Sequence, residues 1–236
     1  MGPPQDEELN PIAFPILHVL PPLVVRTLQK HFYAGVKAAE MRFKYNAADE
    51  DSLTGALGER LTEPEPIVIR SGNDVFEWRT EAYKIRGRGP GAPEHELGAD
   101  GIFQLEVIDQ QGNFIVRKGL LFQSKKEWTG TDRRLLGQTQ DLLAQSPSAI
   151  IVDFSKNGYK AFTGQAVVAA GGVRRKIKPQ DNKPLAEVLG DEFVGCLRGD
   201  NGLYWQPELE RLTIGRERFA DLPPKEYIGN TIRRRN

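Results

Sequence analysis

Apolar side chains first recur at helical spacing. Leu23, Leu28, Phe32, Val36, Ala39 and Phe43 follow one another at steps of three to five residues, which predicts a long helix over 22–45. Leu53, Leu57 and Leu61 form the stripe of a second helix over 50–61. Asp49 is its expected N-cap, with Glu50 and Asp51 in the electropositive first turn, and Pro64 and Pro66 stop it. The period then changes to two. Residues 67–69 and 75–85 read as strands joined by Ser71-Gly72-Asn73-Asp74. Residues 86–97 are dense in Gly and Pro and read as a loop. Strands are expected over 100–108 and 114–125, around the turn Asp109 to Asn113.

A helix over 131–145 is expected from Leu135, Leu136, Leu142 and Leu143. The run Ala149 to Phe154 reads as a fully apolar central strand covered on both faces. A strand over 159–163 and a helix over 184–197 follow, and the last stretch, with Trp205, has no assignable period. No internal repeat and no linker interrupt the chain. The expected fold is α/β, a mixed central sheet flanked by helices. A Pro-rich arm is expected over 1–21, a core over 22–165, and an extension over 166–236 packed on it, ending in the basic tail 233–236.

Composition narrows the function classes. The chain has 236 residues, 39% hydrophobic and 27% charged, enough for a buried core. Thirty-two basic and thirty-two acidic residues leave no net charge, which excludes a uniformly basic binder. One cysteine, Cys196, excludes a disulfide framework and a cysteine zinc cluster, and His18, His31 and His95 are too few and too scattered for a histidine metal site. A reducing, cytoplasmic setting is expected, because the start is acidic and unlike a signal peptide. The most apolar stretch, Pro11 to Val25, carries four prolines and is shorter than the roughly 20 residues of a membrane span, so no membrane contact is expected. P-loop and G-x-S-x-G motifs are absent, and Gly87 to Gly91 lacks the context of a dinucleotide site.

The chemistry concentrates in one hairpin. Gly98-Ala99-Asp100 opens it, and Gln123-Ser124-Lys125 closes it. Strand alternation puts Gln123 and Lys125 on one face. If the turn centres near Gln111, paired positions sum to about 222 and Asp100 falls opposite Phe122, one residue from Gln123. A carboxylate, an amide oxygen and an ammonium then converge at a strand end. The oxygens suit a hard cation such as Mg²⁺, and Lys125 could position a water. Each has a plainer reading: Asp100 as a turn aspartate, Gln123 and Lys125 as solvent-facing residues, Glu50 as a first-turn acid, and Gln138 as a satisfied buried amide.

Those residues resemble the PD-(D/E)xK nuclease superfamily, in its Mrr-like branch, where Gln replaces the usual acid of the second half-motif. The similarity spans roughly residues 40–165. It implies a restriction-endonuclease-like core and a Mg²⁺- or Mn²⁺-dependent endonuclease acting on DNA, with a role in restriction or anti-phage defence. Asp100, Glu50 and Gln123 would hold the metal and Lys125 would orient the attacking water. Because Gln123 carries no charge, a second acid is required. Glu50 is the first choice, Glu59 the second and Glu106 the third, the last lying about 20 Å along the strand from Asp100. Gln138 would have a supporting role behind the ligands.

Charge is uneven in a way that suits a phosphate backbone. Residues 117–134 hold six basic side chains against Glu127 and Asp132, residues 174–178 hold four more, and residues 49–65 hold six acids against Arg60. Lys126, Arg133, Arg134, Arg174, Arg175 and Lys176 are the expected nucleic-acid contacts. The rival expectations are a non-catalytic nucleic-acid-binding or regulatory subunit on the same fold, and an RNA-cleaving relative. A partner ATPase or sensor subunit, or self-association, would restrain such a nuclease.

Overall fold

A computed structural model describes residues 20–85, 97–207, 209 and 211–214. Residues 1–19 of the arm expected over 1–21, the segment 86–96 with His95 and Glu96, and the tail 233–236 lie outside the described residues. Helix α1 (Pro22–Met41) opens with a proline at its first position, where the missing N–H is not needed. It buries Val24, Val25, Leu28, Phe32, Val36 and Ala39. The expected helix over 22–45 breaks at Arg42, and the short α2 (Phe43–Asn46) completes it. Helix α3 (Glu50–Leu61) starts where the sequence places it: Asp49 accepts a hydrogen bond from the Ser52 N–H at 2.6 Å.

The strands β1 (Ile67–Ser71), β2 (Asp74–Lys84), β3 (Gly101–Asp109) and β4 (Phe114–Lys126) form an antiparallel meander. Helix α4 (Arg133–Gln145) then crosses over so that β5 (Ile150–Phe154) runs parallel to the end of β4. Strand β6 (Lys160–Thr163), helix α5 (Gly164–Ala169) and strand β7 (Asn182–Pro184) follow. The sheet order is β1 to β7 in sequence, with β8 (Asp200–Asn201) paired beside β4. The architecture is thus α/β around an eight-stranded, mostly antiparallel sheet.

Alternation sends neighbouring residues to two cores. Phe103, Leu105, Leu120, Phe122, Ile150 and Val152 pack under α1 and α3. Ile102, Leu121 and Ile151 pack on the other face, with Leu135 and Leu142 of α4. Both faces are covered, which is why β5 is buried throughout. It is not fully apolar, however, because Asp153 is buried within it.

Residues beyond 165 belong to these same cores. Helix α6 (Leu185–Glu187) runs into a π-helix over Val188–Phe193, and Leu185, Val188, Leu189 and Phe193 join the first core. The expected helix over 184–197 therefore stops at Phe193, and Cys196 has a positive φ of 58°. Leu203 and Trp205, on β9 (Leu203–Gln206), join the second core, and β9 pairs with β10 (Arg211–Ile214). Among the described residues, no helix is long and apolar enough to cross a membrane.

Lys118 of β4 is wholly buried in the first-core layer. Its ammonium donates to the Phe193 carbonyl, lies 3.2 Å from Cys196 Sγ and sits 4.5 Å above the Phe193 ring. Burial pulls its pKa below the ordinary value of 10.5. The unfolded chain therefore holds the proton over a pH window in which the native state has lost it. Wild-type stability should rise with pH across that window, relative to Lys118→Met, and level off near 10.5. Urea denaturation of both proteins at about pH 7 and about pH 10 measures this; a pH-independent difference would contradict it.

Candidate active site

The site begins with a register. At the turn, Asp109 Oδ1 accepts from the backbone N–H groups of Gln111 and Asn113, at 2.9 and 2.8 Å. Ile108 pairs with Phe114, but Val107 pairs with Val116, so a β-bulge adds one residue to β4. The expected sum of 222 holds only at the turn, and beyond the bulge it becomes 223. Gly101 faces Phe122, and the Asp100 N–H donates to the Phe122 carbonyl at 2.9 Å. The bulge therefore brings Asp100 to Gln123, where the unbroken ladder would have stopped one residue short.

Three donors meet Asp100 Oδ2: Gln123 Nε2 at 2.7 Å, the Ser124 N–H at 2.7 Å and the Ser124 hydroxyl at 2.5 Å. Ser124 points to the opposite face of β4 and accepts from the Thr54 hydroxyl at 3.2 Å. Thr54 Oγ1 also lies 2.9 Å from the Glu50 carbonyl. Helix α3 is thereby tied to the hairpin, with Glu50 in its first turn beside the end of β4.

Lys125 lies between two carboxylates. Its Nζ is 4.0 Å from Glu50 Oε1 and 3.9 Å from Asp132 Oδ2. These residues open on a cleft of about 600 Å³. Asp49 and Glu50 line one side, Lys125 and Lys126 the strand end, and Glu127, Trp128, Thr129, Thr131, Asp132 and Arg133 the rest. Burial pushes the Glu50 carboxyl up, and the Asp100 and Asp132 charges add to that shift; Lys125 and a hydrogen bond from the Lys126 backbone N–H oppose it.

The donor chemistry fits a hard divalent cation. Because Gln123 Nε2 is committed to Asp100, Oε1 is the free end of its amide, and it is buried without a hydrogen-bond partner. Glu50 Oε2 and Gln138 Oε1 are in the same condition. A buried acceptor left without a donor costs about 1–3 kcal/mol, which a cation would relieve. Carboxylate and amide oxygens are the ligands that Mg²⁺ and Mn²⁺ take. Among the described residues no group of three His, Cys, Asp or Glu side chains is arranged to hold a metal.

Several expected residues are placed elsewhere. Glu59 is mostly exposed and lies beside Arg60 at 3.7 Å. Nine residues after Glu50, at about 100° each, it projects from the opposite side of the helix. Glu106 is buried against Arg117 Nε at 2.9 Å and Arg79 at 3.6 Å, and Arg117 is its partner in the β3–β4 ladder. Neither completes the metal set. Lys126 turns its ammonium onto the Ala47 and Ala48 carbonyls, at 2.6 and 3.4 Å.

Arg174 stacks 4.2 Å over Phe162 and approaches Asp153 at 3.7 Å, so it is held in the fold. Arg133, Arg134, Arg175 and Lys176 are exposed. They lie near the cleft, because Thr131 bridges Val173 and the Arg174 N–H donates to the Gly130 carbonyl at 2.9 Å.

Two acids escaped the sequence reading. Asp132 counted only as a charge within a basic run, although an Asp three residues before Leu135 at a helix start is a capping signal. Asp153, in a strand read as apolar, accepts from the Trp128 N–H at 2.9 Å. Burial pushes its carboxyl up, against the Trp128 N–H and Arg174. A lone acid inside an apolar run was the available signal. Comparison with family models, with curated proteins and with solved structures finds no match for this chain.

Gly98 sets the approach to the site. Its φ is +62°, and a Cβ there would collide with the Gln138 carbonyl of α4. Gly98→Ala should lower stability by about 2–4 kcal/mol, from left-handed backbone strain plus the collision. Denaturant unfolding measures this, and a loss under about 0.5 kcal/mol would show that α4 does not constrain the entry to Asp100.

Proposed function

We propose that the protein is a metal-dependent nuclease that hydrolyses phosphodiester bonds of DNA. The observation that carries this reading is that Gln123 binds Asp100 while Lys125, two residues on, faces Glu50, with Gln123 Oε1 and Glu50 Oε2 buried and without hydrogen-bond partners. Asp100, Glu50 and Gln123 Oε1 would hold Mg²⁺ or Mn²⁺. When bound, such an ion supplies Lewis-acid polarisation of the scissile phosphate.

The protein's own groups do the rest. The Gln123 amide and Ser124 fix Asp100 through Oδ2. Lys125, mostly sequestered at the cleft edge, orients the attacking water and offsets charge on the pentavalent phosphorus. Arg133, Arg134, Arg175 and Lys176 supply exposed positive charge for the flanking phosphates. A restriction or anti-phage role, cytoplasmic location, and restraint by an ATPase, a sensor subunit or self-association belong to the same proposal.

A second reading, a non-catalytic nucleic-acid-binding module, is favoured by one feature. Asp100 Oδ2 already takes three donors and Lys125 already has two counter-charges, as in a purely structural polar cluster. A plasmid-cleavage assay with Mg²⁺ or Mn²⁺ separates the two. Metal-dependent cutting should be lost in Asp100→Ala and in Lys125→Ala, by at least about a hundredfold. A fully active Lys125→Ala would refute the site, and wild-type binding without cutting would favour the module. An RNA substrate cut in place of DNA would redirect the reading to a ribonuclease.

The phosphate contacts have their own test. Arg175→Glu combined with Lys176→Glu should weaken binding to a DNA duplex and flatten its salt dependence by about two in log–log slope. Fluorescence anisotropy across a salt series reads the slope, and an unchanged slope removes this segment from the binding surface.

A further inference from the structure

We infer that Asp132 is the positioning residue for Lys125, holding its ammonium in the cleft while Glu50 is left free to bind a cation. This inference rests on the nuclease reading of the site. Lys125 Nζ lies almost equally far from Asp132 Oδ2 and Glu50 Oε1, at 3.9 and 4.0 Å. The two carboxylates are not equivalent, however.

Asp132 is fixed on three sides. Its Oδ1 accepts from the Leu135 N–H at 2.8 Å, as the N-cap of α4. Its own N–H donates to the Gly172 carbonyl at 3.0 Å, and its carbonyl accepts from the Leu136 N–H at 3.2 Å. One carboxylate oxygen is thereby tethered to the helix end, and the other, Oδ2, is directed at Lys125. An aspartate held this way loses little further freedom when it holds an ammonium.

Glu50 is built differently. Its side chain is longer and more exposed, and its Oε2 is buried without a donor. That oxygen is available to a cation, and a cation at Glu50 would repel Lys125. The lysine then needs a second, independent counter-charge to stay at the cleft edge. Among the described residues, Asp132 is the other acid at ion-pair distance. The division of labour follows: Glu50 faces the ion, and Asp132 keeps Lys125 within reach of the phosphate.

Asparagine separates this role from capping, because Asn caps a helix as well as Asp does and removes only the charge. In protein with ¹⁵N-labelled lysine, the Nζ ammonium resonance of Lys125 is assigned by its loss in Lys125→Met. A held ammonium exchanges slowly with water and gives a visible signal. Asp132→Asn should keep the wild-type melting temperature and lose that signal, whereas Glu50→Gln should retain it. Cleavage by Asp132→Asn should fall ten- to a hundredfold, with DNA affinity unchanged.

A Lys125 signal that survives Asp132→Asn, that is lost in Glu50→Gln instead, or that is missing from the wild type overturns the inference. Where Asp132→Asn folds poorly, Asp132→Ser keeps the capping oxygen, removes the reach to Lys125, and should lose the same signal. If the wild type cuts no DNA, the nuclease reading fails, and the ammonium signal alone decides whether Asp132 holds Lys125.

Discussion

Strand β4 is thirteen residues long, and no one neighbour covers it. Its first part is paired with β3 and, at Lys118 and Gly119, with β8. Its last five residues, Phe122 to Lys126, are paired in parallel with β5. Without β5, Gln123, Ser124 and Lys125 would project from a frayed end, where backbone N–H and C=O groups have no partners. The parallel ladder holds that end straight, and the crossover it requires is helix α4. The helix that covers the second core therefore also delivers Asp132 to Lys125. Cleft geometry and core packing share one constraint, the need to cover both faces and both edges of β4.

The electrostatics follow from that arrangement. Charged groups at the strand ends are drawn into a region where burial penalises them, and most acquire partners. Glu106 has Arg117 and Arg79, and Asp153 has the Trp128 N–H and Arg174. Asp100 is saturated on one oxygen. Glu50 Oε2, on a residue that lines the cleft, and Gln123 Oε1, two residues before Lys125, are buried without a hydrogen-bond partner, as are Trp78 Nε1 and Gln138 Oε1. Buried groups of this kind reduce stability unless a partner supplies the missing hydrogen bond. The basic residues divide on the same principle. Those bound by the fold, Lys126 on the Ala47 carbonyl and Arg174 on Phe162, carry structure, and those on the α4 start and the neighbouring turn remain exposed.

Much of this was legible in the residues themselves, wherever the cause is local. The cap at Asp49, the leucine stripe of α3 and the turn at Asp109 depend on contacts within a few positions, so spacing reveals them. The common face of Gln123 and Lys125 follows from strand alternation alone. The rest depends on partners far apart in the chain. Thr54 meets Ser124 across 70 positions, and no local pattern encodes that meeting. Glu59 and Glu106 satisfied the requirement for an acid by type, but helix phase and an arginine partner took them out of the site.

The sequence by itself determined an α/β chain and the residue types of one polar constellation, because period, capping and turn chemistry are short-range properties of the backbone. Tertiary structure decided the register, through a bulge that no turn rule foretold, and so decided that Asp100 meets Gln123. It also decided which acids face Lys125 and which arginines stay exposed. Those outcomes are settled by competition for burial and for hydrogen-bond partners, and that competition exists only once the chain has closed on itself.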